Sequence, residues 1–228
     1  HVIYGVMGLK THCKATLIVR QEGDVARRYV HLGTGNYNPL TARTYTDFGL
    51  FTANEEIGAD VGDLFNYLTG RSLHPRYRQL LVAPIDLRLG IEARIGAAIR
   101  AVEEGGTASV VIKVNALVDP PMVALIDRAT AAGVEVDLIV RGACALLPDP
   151  ARHRARLRIR SIVGELLEHS RLYRFSVNGR TEWFAGSADL MERNLDRRIE
   201  VLFPLLDPAA QGAAQRIVDA LLADTRNA

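Results

Sequence analysis

Two histidines, each followed two residues later by a cation, are the side chains in this sequence best suited to chemistry: His12-x-Lys14 and His169-x-Arg171. Each belongs to a larger set. Gly33-Thr34-Gly35-Asn36 is followed eleven residues after Asn36 by Asp47, and Gly186-Ser187-Ala188-Asp189 is followed eleven residues after Asp189 by Glu200. One HxK motif is common by chance, but two sets with the same parts, order and spacer read as an internal repeat. In an extended strand alternate side chains share a face, so each histidine projects beside its basic partner.

These residue types suit phosphoryl transfer. A neutral imidazole attacks phosphorus well when its other nitrogen donates to a carboxylate that fixes tautomer and ring orientation. Along the chain Asp47 is the expected partner of His12, and Glu200 that of His169. Lys14 and Arg171 would offset charge on non-bridging phosphate oxygens, and backbone amides of the two small-residue turns would add anion contacts. One histidine can attack while the second protonates or positions the leaving group.

The elements that must hold these groups change character along the chain. Residues 2–6, 12–20, 27–33 and 47–52 read as strands, with a hairpin turn at Gly23 and a turn-rich loop at 33–42. Ile57, Val61, Leu64, Phe65 and Leu68 recur at helical spacing up to Gly70. From Leu80 onward strands and helices alternate: "LLVAP", a helix to Gly105-Gly106, "ASVVIKV", the helix "PPMVALIDRATAAG", "VEVDLIV". That alternation implies crossover units on a largely parallel sheet with ligands at the carboxyl ends of the strands, where Asn115 and Arg141 fall. "RLRIRSIV", a short helical "GELLE", "HSRLYRFSV", "TEWFAGS" and "RRIEVLFPL" precede a terminal amphipathic helix from Pro208 to Leu222. The boundary between the two parts is expected near Pro75 to Leu80, giving domains at 1–77 and 78–228.

The totals set the frame. The chain has 228 residues, 48% hydrophobic and 24% charged, ample for a globular fold, and its net charge of +2 names no partner. No apolar run approaches the roughly 18 residues of a membrane span and no export leader opens it, so a soluble cytoplasmic location is expected. Cys13 and Cys144 lie in apolar runs without metal-type spacing and read as buried thiols. "HVIYGVMG" starts directly in an apolar run with no start methionine, as if cut from a longer chain.

The repeat resembles the paired half-sites of the phospholipase D superfamily. The longer runs "LKTHCK", "YVHLGTGNYNPLTARTYTD", "IGADVGDLFNYLTG", "GVEVDLIVRG", "SIVGELLEHSRLY" and "SADLMERNLDRRIEV" resemble the two C-terminal domains of the polyphosphate kinase family, over nearly all of the chain from Gly8 to Asp207. Phospholipase-type members normally place an aspartate five residues after the motif lysine, where this chain has Val19 and Ser176. The resemblance implies an α/β protein of two phospholipase D-like mixed-sheet domains with flanking helices, the first truncated at its N-terminus. It further implies reversible transfer of the ATP γ-phosphate to inorganic polyphosphate through a phosphohistidine, with magnesium. By the family pattern His12 matches the phosphorylated histidine, and Tyr45, Arg141 and His169 match nucleotide-contacting positions. Lys14, Arg171 and Arg198 join the phosphate site by position. The implied partners are ATP, ADP and polyphosphate, with no nucleic acid and no transmembrane segment. A homo-oligomeric full-length enzyme, peripheral membrane association at most and little or no activity for the isolated fragment complete the expectation. The family usually carries an aromatic residue at Leu190, arginines at Leu147 and Glu165, and a Ser-Glu-Asn-like run around Arg154 to Arg156.

Other candidates take blander readings. His31 reads as a hydrogen-bonded structural histidine, and His74 and His153 as exposed. Arg154, Arg156, Arg158 and Arg160 read as the charged face of an edge strand. Asn36 and Asn38 suit either phosphate contact or turn geometry, and Lys113 and Asn115 are weaker candidates. A phospholipase D-type phosphodiesterase or nuclease and a non-catalytic polyanion-binding module are the competing functional classes. The second predicts binding that falls steeply with salt and survives loss of His12.

Overall fold

The computed structural model describes residues 1–72, 75–153 and 156–227. His74 and Arg154 lie outside these residues. In chain order the elements are β1 (Lys10–Thr11), β2 (Lys14–Glu22), β3 (Val25–Gly33), β4 (Tyr45–Thr46), β5 (Gly49–Thr52) and α1 (Glu55–Leu68). Then follow β6 (Leu81–Ala83), α2 (Leu87–Glu103), β7 (Ala108–Val114), α3 (Pro120–Ala132), β8 (Glu135–Val140), α4 (Pro150–His153) and β9 (Leu157–Arg160). The chain ends with β10 (Leu167–Glu168), β11 (Arg171–Val177), β12 (Arg180–Gly186), α5 (Glu192–Asp196), β13 (Arg198–Pro204) and α6 (Pro208–Ala223).

An eight-stranded mixed sheet runs β1-β13-β12-β11-β7-β8-β9, with β6 also paired to β13. The crossovers through α3 and α4 make β7, β8 and β9 parallel, whereas β11, β12 and β13 are antiparallel. The sheet is therefore less parallel than the strand–helix alternation implies, because hairpin-linked strands fill its other half. β2, β3 and β5 form a separate antiparallel sheet, and β4 pairs with β10 alone.

Strands buried on both faces explain the continuous apolar runs. Val110, Ile112 and Val114 of β7 pack with Leu87, Ile91 and Ile95 of α2 and Ile126 of α3, while the intervening Val111 faces a second core. That second core joins Val30 and Leu32 of β3 and Ile57, Val61 and Leu64 of α1 to Leu172, Trp183, Val201 and Phe203 of the large sheet, and to Val218 of α6. Helix starts follow their capping residues: Asn54 accepts from Glu56 and Ile57 N–H, Asp119 from Met122 N–H, and Asp207 from Ala209 and Ala210 N–H.

Two expected elements take other forms. Residues 2–6 form no strand, since Val2, Ile3 and Tyr4 are exposed. "GELLE" is not helical: Glu165 and Leu166 lie in a bend and Leu167–Glu168 is β10, drawn into extended form by parallel pairing with Tyr45–Thr46.

Asp60 of α1 is fully buried and accepts from the backbone N–H groups of Arg78, Gln79 and Leu80, at 2.8, 2.6 and 3.0 Å, and from Arg78 Nη1 at 3.0 Å. One carboxylate thus fastens the strap that leads into β6. Asp60→Ala strands several donors at once, so a loss of about 3 kcal/mol or more is expected in urea unfolding.

Candidate active site

Each candidate histidine sits where the chain passes from one sheet to another. After β1, the His12 and Cys13 N–H groups both donate to Ile199 O, and the chain then enters β2. After β10, the His169 and Ser170 N–H groups both donate to Thr46 O, and the chain enters β11. The matching detail shows that the sequence repeat is a structural one.

The pairing of histidines with carboxylates is crossed. Parallel pairing sets Thr11 opposite Ile199, so the next residues, His12 and Glu200, lie side by side; Glu168 opposite Thr46 does the same for His169 and Asp47. His12 Nδ1 lies 2.8 Å from Glu200 Oε2, and His169 Nδ1 lies 2.8 Å from Asp47 Oδ1. The expected within-half pairs, His12 with Asp47 and His169 with Glu200, are thus corrected. Sequence order carries the repeat, but strand exchange between the halves decides the neighbours.

Each carboxylate is positioned from its own half. Thr34 Oγ1 donates to Asp47 Oδ1 at 2.7 Å and accepts from Phe48 N–H, and Ser187 Oγ in the same way donates to Glu200 and accepts from Val201 N–H. Asn194 Nδ2 adds a third donor to the fully buried Glu200, at 2.6 Å. Sequence reasoning gave the small-polar turns only backbone contacts and missed these hydroxyls. Their matched placement, Thr34 with Ser187, was the available signal.

The two basic partners differ. Arg171 is buried, its Nε and Nη2 on Asp189 at 3.2 and 3.1 Å and its Nη1 on His169 Nε2 at 3.1 Å. An Arg donor on Nε2 means that His169 is the Nδ1–H tautomer, with both ring nitrogens engaged. Lys14 is equally buried, yet its Nζ has no hydrogen-bond partner, and His12 Nε2 has none among the described residues. Burial lowers the Lys14 pKa to about 8, opposed by Glu200, while Arg171 and Asp47 also act on it. Both half-sites therefore share one electrostatic environment. Asp47 carries the opposite balance, with burial pushing its pKa up but hydrogen bonds from His169 and Thr34 holding it below the ordinary value.

Tyr45 packs on His169 with ring centroids 4.9 Å apart. Arg141 Nε donates to Asn115 Oδ1 at 3.0 Å, and Asn115 in turn gives its N–H to Asp189 at 2.7 Å and its Nδ2 to His169 O at 3.4 Å. Arg198 lies on β13 opposite Lys10, two residues before Glu200, with no side-chain bond to the other candidates among the described residues. Lys113, buried and lowered in pKa by that burial, donates to Ser170 O and Oγ and pairs with Glu168 at 3.2 Å. Lys113, Asn115 and Asp189 thus form the support beneath His169 that the sequence left faint.

Other side chains leave the candidate list. His153 is buried, not exposed: its Nε2 lies 2.9 Å from Asp127 Oδ1 and its Nδ1 accepts from Asp149 N–H. His31 bonds Tyr37 Oη at 2.7 Å and packs on Phe51. Asn38 Oδ1 accepts from Leu40 and Thr41 N–H, a turn role. Burial pushes the Cys13 thiol up to about 12, so it stays protonated. Arg158 pairs with Asp137 and Arg160 with Asp224 O. Leu147 and Glu165 are exposed, and Leu190 is fully buried in the core.

Magnesium does not find a ready protein site. No three His, Cys, Asp or Glu side chains cluster as ligands among the described residues, and Asp47, Asp189 and Glu200 are each taken by other donors. Magnesium keeps several waters and binds phosphate oxygens, so a nucleotide would have to bring most of its ligands.

Fold and site together define an α/β protein with two histidine–carboxylate pairs built across two repeated halves. Residues 1–74 match the family model described as polyphosphate kinase C-terminal domain 1, and residues 80–228 match that described as C-terminal domain 2. The chain belongs to the polyphosphate kinase family. It is 51% identical over 224 residues to a polyphosphate kinase of Streptomyces coelicolor, covering 98% of this chain and 30% of that protein. A polyphosphate kinase of Prosthecochloris aestuarii is 50% identical, with 98% and 31% covered. The crystal structure of polyphosphate kinase from Porphyromonas gingivalis superimposes with a TM-score of 0.90 at 40% identity, covering 97% of this chain and 34% of that one. The chain thus spans about a third of the length of these relatives.

Proposed function

We propose that this chain carries the phosphoryl-transfer centre of an ATP:polyphosphate phosphotransferase, with His12 as the nucleophile. The observation that carries the reading is the state of His12: its Nδ1 donates to a buried Glu200 that Ser187 and Asn194 also support, while its Nε2 and the buried Nζ of Lys14, two residues on, have no hydrogen-bond partner among the described residues. Its lone pair would attack the γ-phosphorus of ATP, forming the Nε2–P bond as the bond to ADP breaks. Glu200 stabilises the imidazolium character that develops, and Lys14 meets the non-bridging oxygens. An oxygen of the terminal phosphate of polyphosphate then attacks the same phosphorus and the N–P bond breaks. Each step is reversible. Tyr45, Arg141, Arg171, Arg198 and His169 complete the proposed nucleotide and phosphate surface, with His169 positioning the leaving group.

Domain boundaries at 1–77 and 78–228 form part of this proposal, as do oligomerisation of the full-length enzyme and a cytoplasmic or peripheral location. No helix among the described residues is long and apolar enough to cross a membrane.

The test uses the full-length protein carrying this chain, incubated with ATP labelled at the γ-phosphate and magnesium. Acid-labile, base-stable label on the His12 peptide, chased into polyphosphate on adding acceptor, is the expected result. Label on neither histidine, or on His169 alone, would overturn the assignment.

Lys14 sets a pH dependence. With its pKa near 8 it is charged below that pH and neutral above it. kcat/KM, which reports the free enzyme, should therefore fall as pH rises through about 8. Lys14→Arg, charged throughout, should remove that alkaline limb whatever its effect on the maximum.

A further inference from the structure

The two half-sites share parts but differ at one position of the repeat. Lys14 lies opposite Gly33 as Arg171 lies opposite Gly186, and three residues beyond each glycine stand Asn36 and Asp189. Asp189 takes two guanidinium nitrogens of Arg171, and Asn115 N–H holds Asp189 in turn. The third nitrogen of Arg171 closes on His169 Nε2 and on His169 O. In the second half-site, cation and nucleophile are thus both spent on internal bonds. In the first, the corresponding residue is a neutral, exposed asparagine, and Lys14 Nζ and His12 Nε2 are both left without partners among the described residues.

We infer that the Asn36/Asp189 difference makes the two half-sites unequal: Asp189 neutralises Arg171 and holds it on His169 Nε2, confining phosphoryl acceptance to His12. Asp189 is a positioning residue that acts through Arg171, and the aspartate itself touches no phosphate. The inference rests on the phosphohistidine reading above. The chemistry open to a released His169 matches that of His12. Its Nε2 lone pair would form the bond to phosphorus, the bond to the ADP oxygen would break with its electron pair leaving on ADP, and the Nδ1 proton would stay with the hydrogen bond to Asp47. The freed Arg171 would supply the phosphate-facing cation.

The test is label mapping in full-length protein with γ-labelled ATP and magnesium, on wild type, Asp189→Asn, Asn36→Asp and Asn36→Ala. Asparagine at 189 keeps an acceptor for Asn115 N–H while removing the charge. Wild type should label His12 only. Asp189→Asn should add label on His169, at a tenth or more of that on His12. Asn36→Asp, at an exposed position that should leave melting unchanged, places a carboxylate at the Asp189-equivalent position in the Lys14 half-site. It should cut His12 label at least tenfold, whereas Asn36→Ala should cut it less than threefold. A folded Asp189→Asn protein labelled on His12 alone, or equal labelling of Asn36→Asp and Asn36→Ala, overturns the inference while the phosphohistidine reading stands. If Asp189→Asn does not fold, the two Asn36 variants decide. Wild type unlabelled on His12 overturns both.

Discussion

Glu200→Gln is expected to reduce phosphoryl transfer on the order of 10³-fold or more, the scale on which amidating a buried carboxylate disables the imidazole it orients. Glu200 accepts from three donors, His12 Nδ1, Ser187 Oγ and Asn194 Nδ2, with no exposure to solvent. A glutamine brings an NH2 group of its own into that set. Either the amide nitrogen meets another donor, or it donates to His12 Nδ1 and drives the proton to Nε2, removing the lone pair that attacks phosphorus. A stability loss of about 1–3 kcal/mol for an unsatisfied buried donor should accompany the kinetic loss. The crossed pairing makes the test selective. In nitrogen-detected NMR of the imidazoles, Glu200→Gln should shift the tautomer signature of His12 and leave that of His169, and Asp47→Asn should do the reverse. The opposite assignment would mean that each histidine pairs within its own half.

How far the site was legible depends on the kind of information each residue carries. β7 and α3 fall where alternation, two prolines and Gly133 place them, because local periodicity and caps decide such elements. The parts of the site were equally readable: His12, Lys14, Asp47, His169, Arg171 and Glu200 all come together. Their partnership was not. Whether His12 meets Asp47 or Glu200 depends on β1 pairing with β13, a contact between residues nearly the whole chain apart that no spacing records. β10 is the same case in miniature, a two-residue strand made by its partner β4 against the helical look of "GELLE". His153 is buried rather than exposed because Asp127 of α3 becomes its partner only once α3 and α4 pack, while the Asp149 N–H bond is local to the start of α4.

Gly35→Ala should be damaging for a single added methyl, lowering kcat/KM about 100-fold, the cost of a misplacement near 1 Å. A Cβ at Gly35 would lie 2.1 Å from Asp47 Oδ2 and 2.2 Å from its Cγ, so the carboxylate cannot keep its place beneath His169. The backbone at 35 needs no left-handed conformation, which makes the effect one of space alone. The second half carries Ala188 at the matching turn position and the longer Glu200 at the matching carboxylate. That half accommodates a fully buried Cβ while Glu200 still reaches His12. The two halves thus differ at both positions together, glycine standing with aspartate and alanine with the longer glutamate. Gly35→Ala should act on the positioning of His169, which handles the leaving ADP, and spare the His12–Glu200 pair, so His12 should still become labelled, only more slowly, while turnover falls. Loss of the His12 label together with turnover would show that Asp47 serves both histidines.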